Sequence, residues 1–232
     1  MFNIVLNKKV KLTIGLLIVF ILTHCIDATG KCTKGNCKDS IGTYVFFNGN
    51  KYEGMWKNHK FNGQGTFTYT AGRFKGSKYT GEWVNNRING KGTFYLANGD
   101  VYEGLWKSNK MNGNGTFTFA NGDKYEGNWK NNKCYGEGIF MYAEGKYKGS
   151  RYVGAWKNSK LNGKGTFYYA NGKKYEGEWK NNLKHGIGTM FLIDGSKYEG
   201  GWKKNKFHGQ GTFTYSYGKV LTGKWRKNKF IK

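Results

Sequence analysis

The 232-residue chain combines 37 glycines and no proline with 8 tryptophans, 17 tyrosines and 16 phenylalanines, a composition of strand and turn residues that excludes a mainly helical protein. Its mean hydropathy of −0.74 would suit a disordered chain, but disordered chains are poor in aromatic residues, so we expect an ordered fold. The formal net charge of +25 predicts attraction to polyanions, namely anionic lipid, acidic glycan or nucleic acid.

A basic and then apolar segment opens the chain. Lys8, Lys9 and Lys11 precede an apolar run at residues 12–22. This run has the length of a signal-peptide core and is shorter than the ~20 residues that span a bilayer. We therefore interpret residues 1–24 as a signal peptide and predict an exported protein.

Two processing routes are compatible with the residues that follow. The tetrapeptide Leu22-Thr23-His24-Cys25 resembles a bacterial lipobox, in which Cys25 would be lipidated, although His24 replaces the small residue usual at its position. Cleavage after Ala28 would instead release a free soluble chain, and a retained signal anchor is a third alternative. The sequence thus predicts a lipoprotein of the periplasm or outer membrane, or a secreted protein.

Two cysteines lie in a short leader that we assign to residues 25–41. Cys32 and Cys37 flank a Gly-Asn pair and predict a small disulfide loop in an oxidising compartment. Half of a metal site is the alternative, which a C-x4-C pair without a second pair supports weakly. Cys134 occupies a position that other repeats fill with apolar residues, so we predict a buried small hydrophobic side chain.

Most of the chain consists of repeats of about 23 residues. The tryptophans are separated by 23 or 27 residues, and the first seven are each followed seven positions later by a Gly-x-Gly. The longer spacings come from matching insertions, at 73–78 and 146–151. We assign a half repeat to 42–51, seven full repeats to 52–220, and a capping half repeat to 221–232. The eight tryptophans are Trp56, Trp83, Trp106, Trp129, Trp156, Trp179, Trp202 and Trp225.

Each repeat alternates with a period of two. In the first full repeat Tyr52, Gly54 and Trp56 alternate with charged or exposed types, which predicts two strands per repeat with aromatic residues and glycines on one face. We predict an all-β fold, an elongated and twisted antiparallel meander of hairpins with Asn-Gly-type turns such as Asn98-Gly99, Asn121-Gly122 and Asn171-Gly172.

The aromatic face has two interpretations. Rings lying over glycines of the neighbouring strand would form the core, and valine at Gly104 or Gly113 should then displace a tryptophan. The alternative is an exposed aromatic lane that serves as a binding surface.

The repeat resembles the MORN (membrane occupation and recognition nexus) repeat. The pattern Y-E-G-x-W-K-N-x-K-x-x-G-x-G-T-F is read from Tyr175 to Phe191, where Met190 precedes the phenylalanine. The C-x-x-G-N-C segment from Cys32 to Cys37 is similar to the start of exported bacterial members. The resemblance implies membrane attachment, scaffolding or dimerisation, as credited to these repeats in junctophilins, plant phosphatidylinositol-phosphate kinases and SET-domain methyltransferases.

A search for catalytic, cofactor or metal residues yields none that we predict. His185 and His208 could form a weak metal pair, but other repeats carry asparagine there, which favours a turn role. Glu176 and Glu199 could imitate a glycosidase pair, but glutamates recur at this position in most repeats, which favours cross-strand pairing with lysine. We therefore predict a non-enzymatic protein without cofactors.

A lysine follows most of the tryptophans directly and predicts a basic ladder on one face. A ladder at repeat spacing suits an anionic membrane surface or an anionic polymer, whereas a solvated face that keeps the sheet soluble is the alternative. Export argues against nucleic acid, and the pattern leaves the protein partner and the oligomeric state open. The candidate binding residues are Lys57, Lys107, Lys130, Lys157, Lys180 and Lys203.

Overall fold

The computed structural model describes residues 30–231, so the predicted signal peptide and the lipidation candidate Cys25 lie outside the described residues. Within them the chain forms 18 strands and one turn of 3-10 helix, Gly145–Tyr147. The strands are β1 (Gly30–Gly35), β2 (Ile41–Phe46), β3 (Lys51–Lys57), β4 (Lys60–Thr68), β5 (Lys78–Val84), β6 (Arg87–Tyr95), β7 (Val101–Lys107), β8 (Lys110–Thr118), β9 (Lys124–Lys130), β10 (Lys133–Met141), β11 (Arg151–Lys157), β12 (Lys160–Tyr168), β13 (Lys174–Lys180), β14 (Leu183–Phe191), β15 (Lys197–Lys203), β16 (Lys206–Thr214), β17 (Val220–Arg226) and β18 (Lys229–Phe230).

The described chain divides into two units. The first comprises residues 30–120 and 128–132, and the second comprises residues 121–127 and 133–231. In the first unit, strands β1 to β8 pair in sequence order, each antiparallel to the next. Strands β10 to β18 do the same in the second unit. The predicted all-β meander with two strands per repeat is therefore confirmed.

The aromatic face of the strands is the core. Tyr52 and Trp56 on β3 are buried, while Glu53, Met55 and Lys57 between and after them are exposed, as a half-buried strand requires. The same pattern recurs in the other repeats: seven tyrosines, Tyr52, Tyr79, Tyr102, Tyr125, Tyr152, Tyr175 and Tyr198, are completely inaccessible to solvent. The alternative of an exposed aromatic binding lane is thus wrong for these rings.

Glycine makes room for tyrosine rather than for tryptophan. A Cβ atom on Gly104 would lie 2.5 Å from the Cα of Gly115 and 2.6 Å from the Oη of Tyr102. On Gly113 it would meet the side chain of Leu105, at 3.0 Å. The prediction that valine at Gly104 or Gly113 displaces a tryptophan is therefore wrong, because the ring held over the paired glycines is that of tyrosine.

Tryptophan instead links each repeat to the preceding one. The indole of Trp83 donates a hydrogen bond to the carbonyl oxygen of Gly65 at 3.1 Å, and its ring meets Tyr52 edge to face at 5.5 Å. Equivalent bonds of 2.9–3.2 Å are made by all eight tryptophans. A buried N–H is thereby satisfied, and burial of each large ring depends on the neighbouring repeat.

Two kinds of short turn recur between the strands. The predicted turns at Asn98-Gly99 and Asn171-Gly172 are three-residue loops in which only the glycine has a positive φ, at 90° and 87°. The insertions form longer loops, at 69–77 and 142–150. The turns that follow the tryptophan-bearing strands are two-residue turns with both residues at positive φ, such as Asn181-Asn182 at 51° and 66°. The latter are type I′ turns, which match the twist of a hairpin and tolerate asparagine without glycine.

The second asparagine of the type I′ turn also bonds to the preceding repeat. The Oδ1 atom of Asn182 accepts the backbone N–H of Leu161 at 2.7 Å, and the N–H of Asn182 donates to the carbonyl of Leu161 at 3.0 Å. Asn86, Asn109, Asn132, Asn205 and Asn228 act in the same way.

Removal of this side-chain bond should be measurable. We expect Asn182→Gly, which keeps the positive φ accessible but leaves the buried N–H of Leu161 unpaired, to lower the free energy of unfolding by about 1–2 kcal/mol. Asn181→Gly is the matched control, because Asn181 is exposed and shares the positive φ. Urea denaturation of both variants measures the difference, and equal effects would contradict the role of the Asn182 side chain.

Candidate functional site

The six predicted lysines lie at the ends of strands, where the chain enters a type I′ turn. All six side chains are exposed. Three belong to each unit, with Lys57, Lys107 and Lys130 in the first. The register places a second lysine directly across the hairpin from four of them, in the pairs Lys57 with Lys60, Lys107 with Lys110, Lys157 with Lys160, and Lys203 with Lys206. We call these eight residues the basic hairpin ends.

Like charges directly opposite each other on a sheet are destabilising. Within the part of the chain that the structure describes, no carboxylate lies within 4.0 Å of any of these eight ammonium groups. The four ion pairs found there involve other lysines: Lys51 with Glu53, Lys124 with Glu126, Lys174 with Glu176, and Lys197 with Glu199. The basic hairpin ends therefore concentrate positive charge that the protein itself does not neutralise.

The ion pairs change the interpretation of the glutamates. Glu176 bonds to Lys174 on the same strand at 2.8 Å, while the residues opposite it on the neighbouring strands are Thr166 and Thr189. The cross-strand pairing that we predicted is therefore wrong: both partners are on one strand, two residues apart, where side chains share a face.

His185 and His208 are half-buried, and within residues 30–231 no cluster of three His, Cys, Asp or Glu side chains could hold a metal.

The cysteines occupy two different environments. Cys32 and Cys37 are joined by a disulfide between the middle of β1 and the loop before β2, with a Cα–Cα distance of 6.0 Å. Beside it lies a cavity of about 330 Å³ that Cys37, Tyr44 and Trp56 help to line. Cys134 is 1 % exposed, and burial raises the pKa of its thiol to about 12, so this sulfur stays protonated.

One buried residue departs from the repeat and was not singled out by our sequence analysis. Lys184 stands where other repeats have Phe61, Ile88, Met111, Cys134, Leu161 and Phe207, yet it is only 8 % exposed. Its Nζ atom lies 5.0 Å from the ring centres of Tyr175 and Trp202 and 5.4 Å from that of Tyr169. Desolvation, with a smaller effect from the charge of Lys173, lowers the pKa of Lys184 to about 7. A signal was present in the sequence, since a lysine interrupts an apolar row.

Among the described residues, no helix has the length and hydrophobicity needed to cross a membrane.

Comparison with solved structures gives low similarity. The TCP domain of SAS-4 from Drosophila melanogaster, solved in complex with a proline-rich motif of Ana2, is 15 % identical with a TM-score of 0.37, and the alignment covers 57 % of this chain and 70 % of that chain. A virginiamycin B lyase from Staphylococcus aureus with quinupristin is 11 % identical with a TM-score of 0.18, covering 86 % of this chain and 75 % of that chain. No functional conclusion follows from similarities at this level.

Comparison with curated proteins finds no match. The family model of the MORN repeat, in contrast, matches seven consecutive segments that together make up more than half of the chain. These segments are 52–72, 79–101, 102–124, 125–147, 152–174, 175–197 and 198–218. They coincide with the hairpins that carry the tyrosine, tryptophan and glycine positions described above. The chain therefore belongs to the MORN repeat family.

Proposed function

We propose that the chain is an exported, non-enzymatic scaffold that attaches to an anionic membrane surface through its basic hairpin ends. The observation that carries the proposal is the doubling of lysine across the hairpins, because it maintains an unfavourable repulsion at four separate places. An anionic headgroup placed between two such ammonium groups would relieve this repulsion. Each lysine near an anionic membrane contributes about 1 kcal/mol of attraction, so several together give appreciable binding.

Attachment through a lipid on Cys25 is a second route to the same membrane, and it follows from the lipobox-like sequence. A third possibility is a secreted chain that binds an anionic glycan or a protein partner without membrane attachment. Mass spectrometry of the mature N-terminus distinguishes these routes. A diacyl or triacyl Cys25 identifies a lipoprotein, whereas a free Thr29 identifies the secreted form.

The test of the surface uses two variants with the same loss of charge. The first replaces Lys57, Lys107, Lys157 and Lys203 by glutamine. The second replaces the four lysines that already bind glutamate: Lys51, Lys124, Lys174 and Lys197. We expect the first variant to lose at least tenfold in affinity for vesicles with anionic lipid, measured by co-sedimentation, and the second to lose much less.

Wild-type binding should also weaken as salt is raised, and neutral phosphatidylcholine vesicles should not bind. Equal losses in the two variants would show that only net charge matters, and this result would contradict a specific role for the basic hairpin ends. The glutamine side chain is uncharged and polar, so folding is retained in both variants and can be verified by circular dichroism.

A further inference from the structure

The loops on the side of the sheet opposite to the basic hairpin ends contain a regular backbone contact. At six places a side-chain oxygen accepts the N–H group of the residue 20 positions later. Asp100 accepts from Ala120 at 2.8 Å, and Asp123 accepts from Ala143 at 2.7 Å. Asparagine or serine fills the same role elsewhere, at Asn50, Ser77, Ser150 and Ser196. This oxygen satisfies an N–H group that the loop itself leaves without a partner.

The contact is missing at one place in the described residues. Lys173 occupies the acceptor position there, and a lysine ammonium can only donate. The N–H group of Ile193, 20 positions later, has no acceptor in the described part of the chain. The Ile193 side chain is 63 % exposed, so this loop is accessible from solvent.

The same repeat junction holds the buried Lys184. Its ammonium lies among the rings of Tyr169, Tyr175 and Trp202, close enough to Lys173 for the two charges to repel. No carboxylate in the described residues is within 4.0 Å of Lys173 or Lys184. The nearby carboxylate of Asp194 is bonded to the N–H and hydroxyl groups of Ser196, at 3.0 Å each. Tyr169 connects the two lysines, because its ring lies beside the Lys184 ammonium and its N–H group donates to the carbonyl oxygen of Lys173 at 2.9 Å. Two lysines thus occupy the junction at which the fold elsewhere supplies an acceptor for the loop N–H group.

We propose that Lys173, Lys184 and the N–H group of Ile193 form a binding site for a phosphoryl oxyanion, carried by a soluble phosphate or by a lipid headgroup. A phosphate dianion matches two ammonium charges, and one of its oxygens replaces the acceptor that aspartate or serine provides in the other repeats. The phenols of Tyr169 and Tyr175 remain neutral, because burial raises the pKa of both. A neighbouring anion favours the charged form of Lys184, whose pKa is lowered to about 7 by burial, so we expect proton uptake on binding at pH 7.5.

The site stands apart from the membrane-binding proposal. It uses none of the basic hairpin ends and contains non-repeating residues, whereas the hairpin lysines recur in both units. A variant lacking Lys57, Lys107, Lys157 and Lys203 should retain the oxyanion site even if it loses vesicle binding. Failure of one proposal therefore leaves the other intact.

The first arm of the test is calorimetric titration of the full chain with inorganic phosphate at pH 7.5, at constant ionic strength set with chloride. Repeating the titration in two buffers of different ionisation enthalpy reports proton uptake. The critical variant is Lys173→Ser, which restores the residue found at Ser77 and Ser150. Lys219→Ser is the matched control, because Lys219 holds the same repeat position two repeats later and is exposed. We expect saturable binding that Lys173→Ser weakens at least tenfold and that Lys219→Ser leaves unchanged.

The second arm uses phosphatidylcholine vesicles containing phosphatidic acid, whose phosphomonoester is held on a lipid. A loss in Lys173→Ser relative to Lys219→Ser in either arm supports the site, and the arm that responds identifies the source of the phosphoryl group. Lys184→Met should weaken binding as well and abolish the proton uptake. If Lys173→Ser and Lys219→Ser bind equally in both arms, the proposal is overturned.

Discussion

Replacement of Gly188 by alanine is expected to lower the free energy of unfolding by about 3 kcal/mol, one of the two largest effects that we predict for a single substitution in this chain. The added Cβ atom would lie 2.5 Å from the Oη atom of Tyr175 and 2.8 Å from its Cζ atom. Tyr175 is completely buried, and its hydroxyl donates to the carbonyl oxygen of Glu178 at 3.0 Å. The ring must shift, so the substitution both overpacks the core and breaks a buried hydrogen bond.

The effect should extend to the next repeat, because the carbonyl oxygen of Gly188 accepts the indole N–H of Trp202 at 2.9 Å. Repeat proteins gain much of their stability from contacts between neighbours, so loss at one junction promotes local opening. Urea denaturation measures the total change, and amide hydrogen exchange locates it. We expect the protection of β13 to β15 to decrease most.

Gly172→Ala is the control for this substitution. Gly172 has a φ of 87°, and a Cβ atom added there would have no atom within 4 Å. Its cost is therefore only the strain of a left-handed backbone, about 1–2 kcal/mol. A loss at Gly188 no larger than that at Gly172 would show that the tyrosine ring moves aside without penalty.

The strands and their buried face could be predicted because both depend on a period of two that the repeat shows seven times. Tyr52 and Trp56 are apolar at alternate positions in the sequence and buried at alternate positions in the structure. The identity of the ring over the glycines could not be predicted, because a bulge shifts the register between Gly54 and Trp56. The bulge places Trp56 opposite Phe61 of its own repeat, while Gly63 lies opposite Trp83 of the next repeat and Tyr52 covers Gly65.

The turns show a second limit. Asn-Gly indicates positive φ by itself, whereas Asn181-Asn182 adopts two positive φ values with the help of the bond from Asn182 to Leu161 in another repeat. The six candidate lysines could be predicted from their place after tryptophan. Their partners across the hairpin, such as Lys60 opposite Lys57, required the two-residue turn to be known. The proposed oxyanion site could not be predicted from the repeat spacing, because the N–H group of Ile193 without an acceptor and the burial of Lys184 become evident only in the structure.

Lys184 should make the stability of the chain depend on pH, and comparison with a single variant that lacks this lysine measures its contribution. Its pKa is about 7 in the folded chain and 10.5 as an ordinary lysine, so the unfolded chain binds the proton more tightly. The resulting penalty is fully present below pH 7 and disappears as the pH rises to that of an ordinary lysine, at about 1.4 kcal/mol per pH unit. The free energy of unfolding therefore increases as the pH is raised from 7 towards 10.5, because the penalty for the buried Lys184 disappears over this range.

Lys184→Met, which introduces the residue found at the equivalent Met111, is therefore expected to stabilise the chain by about 3–5 kcal/mol at pH 7 and below. The stability difference from wild type should shrink between pH 7 and pH 10, and subtracting the two proteins removes titrations that they share. Urea denaturation in phosphate-free buffer measures it. A difference that is constant with pH would show that Lys184 is charged and well solvated when folded. If Lys184→Met is more stable and no longer binds the oxyanion, the presence of a lysine among these rings is explained. The fold would be more stable without the buried charge, but binding requires it.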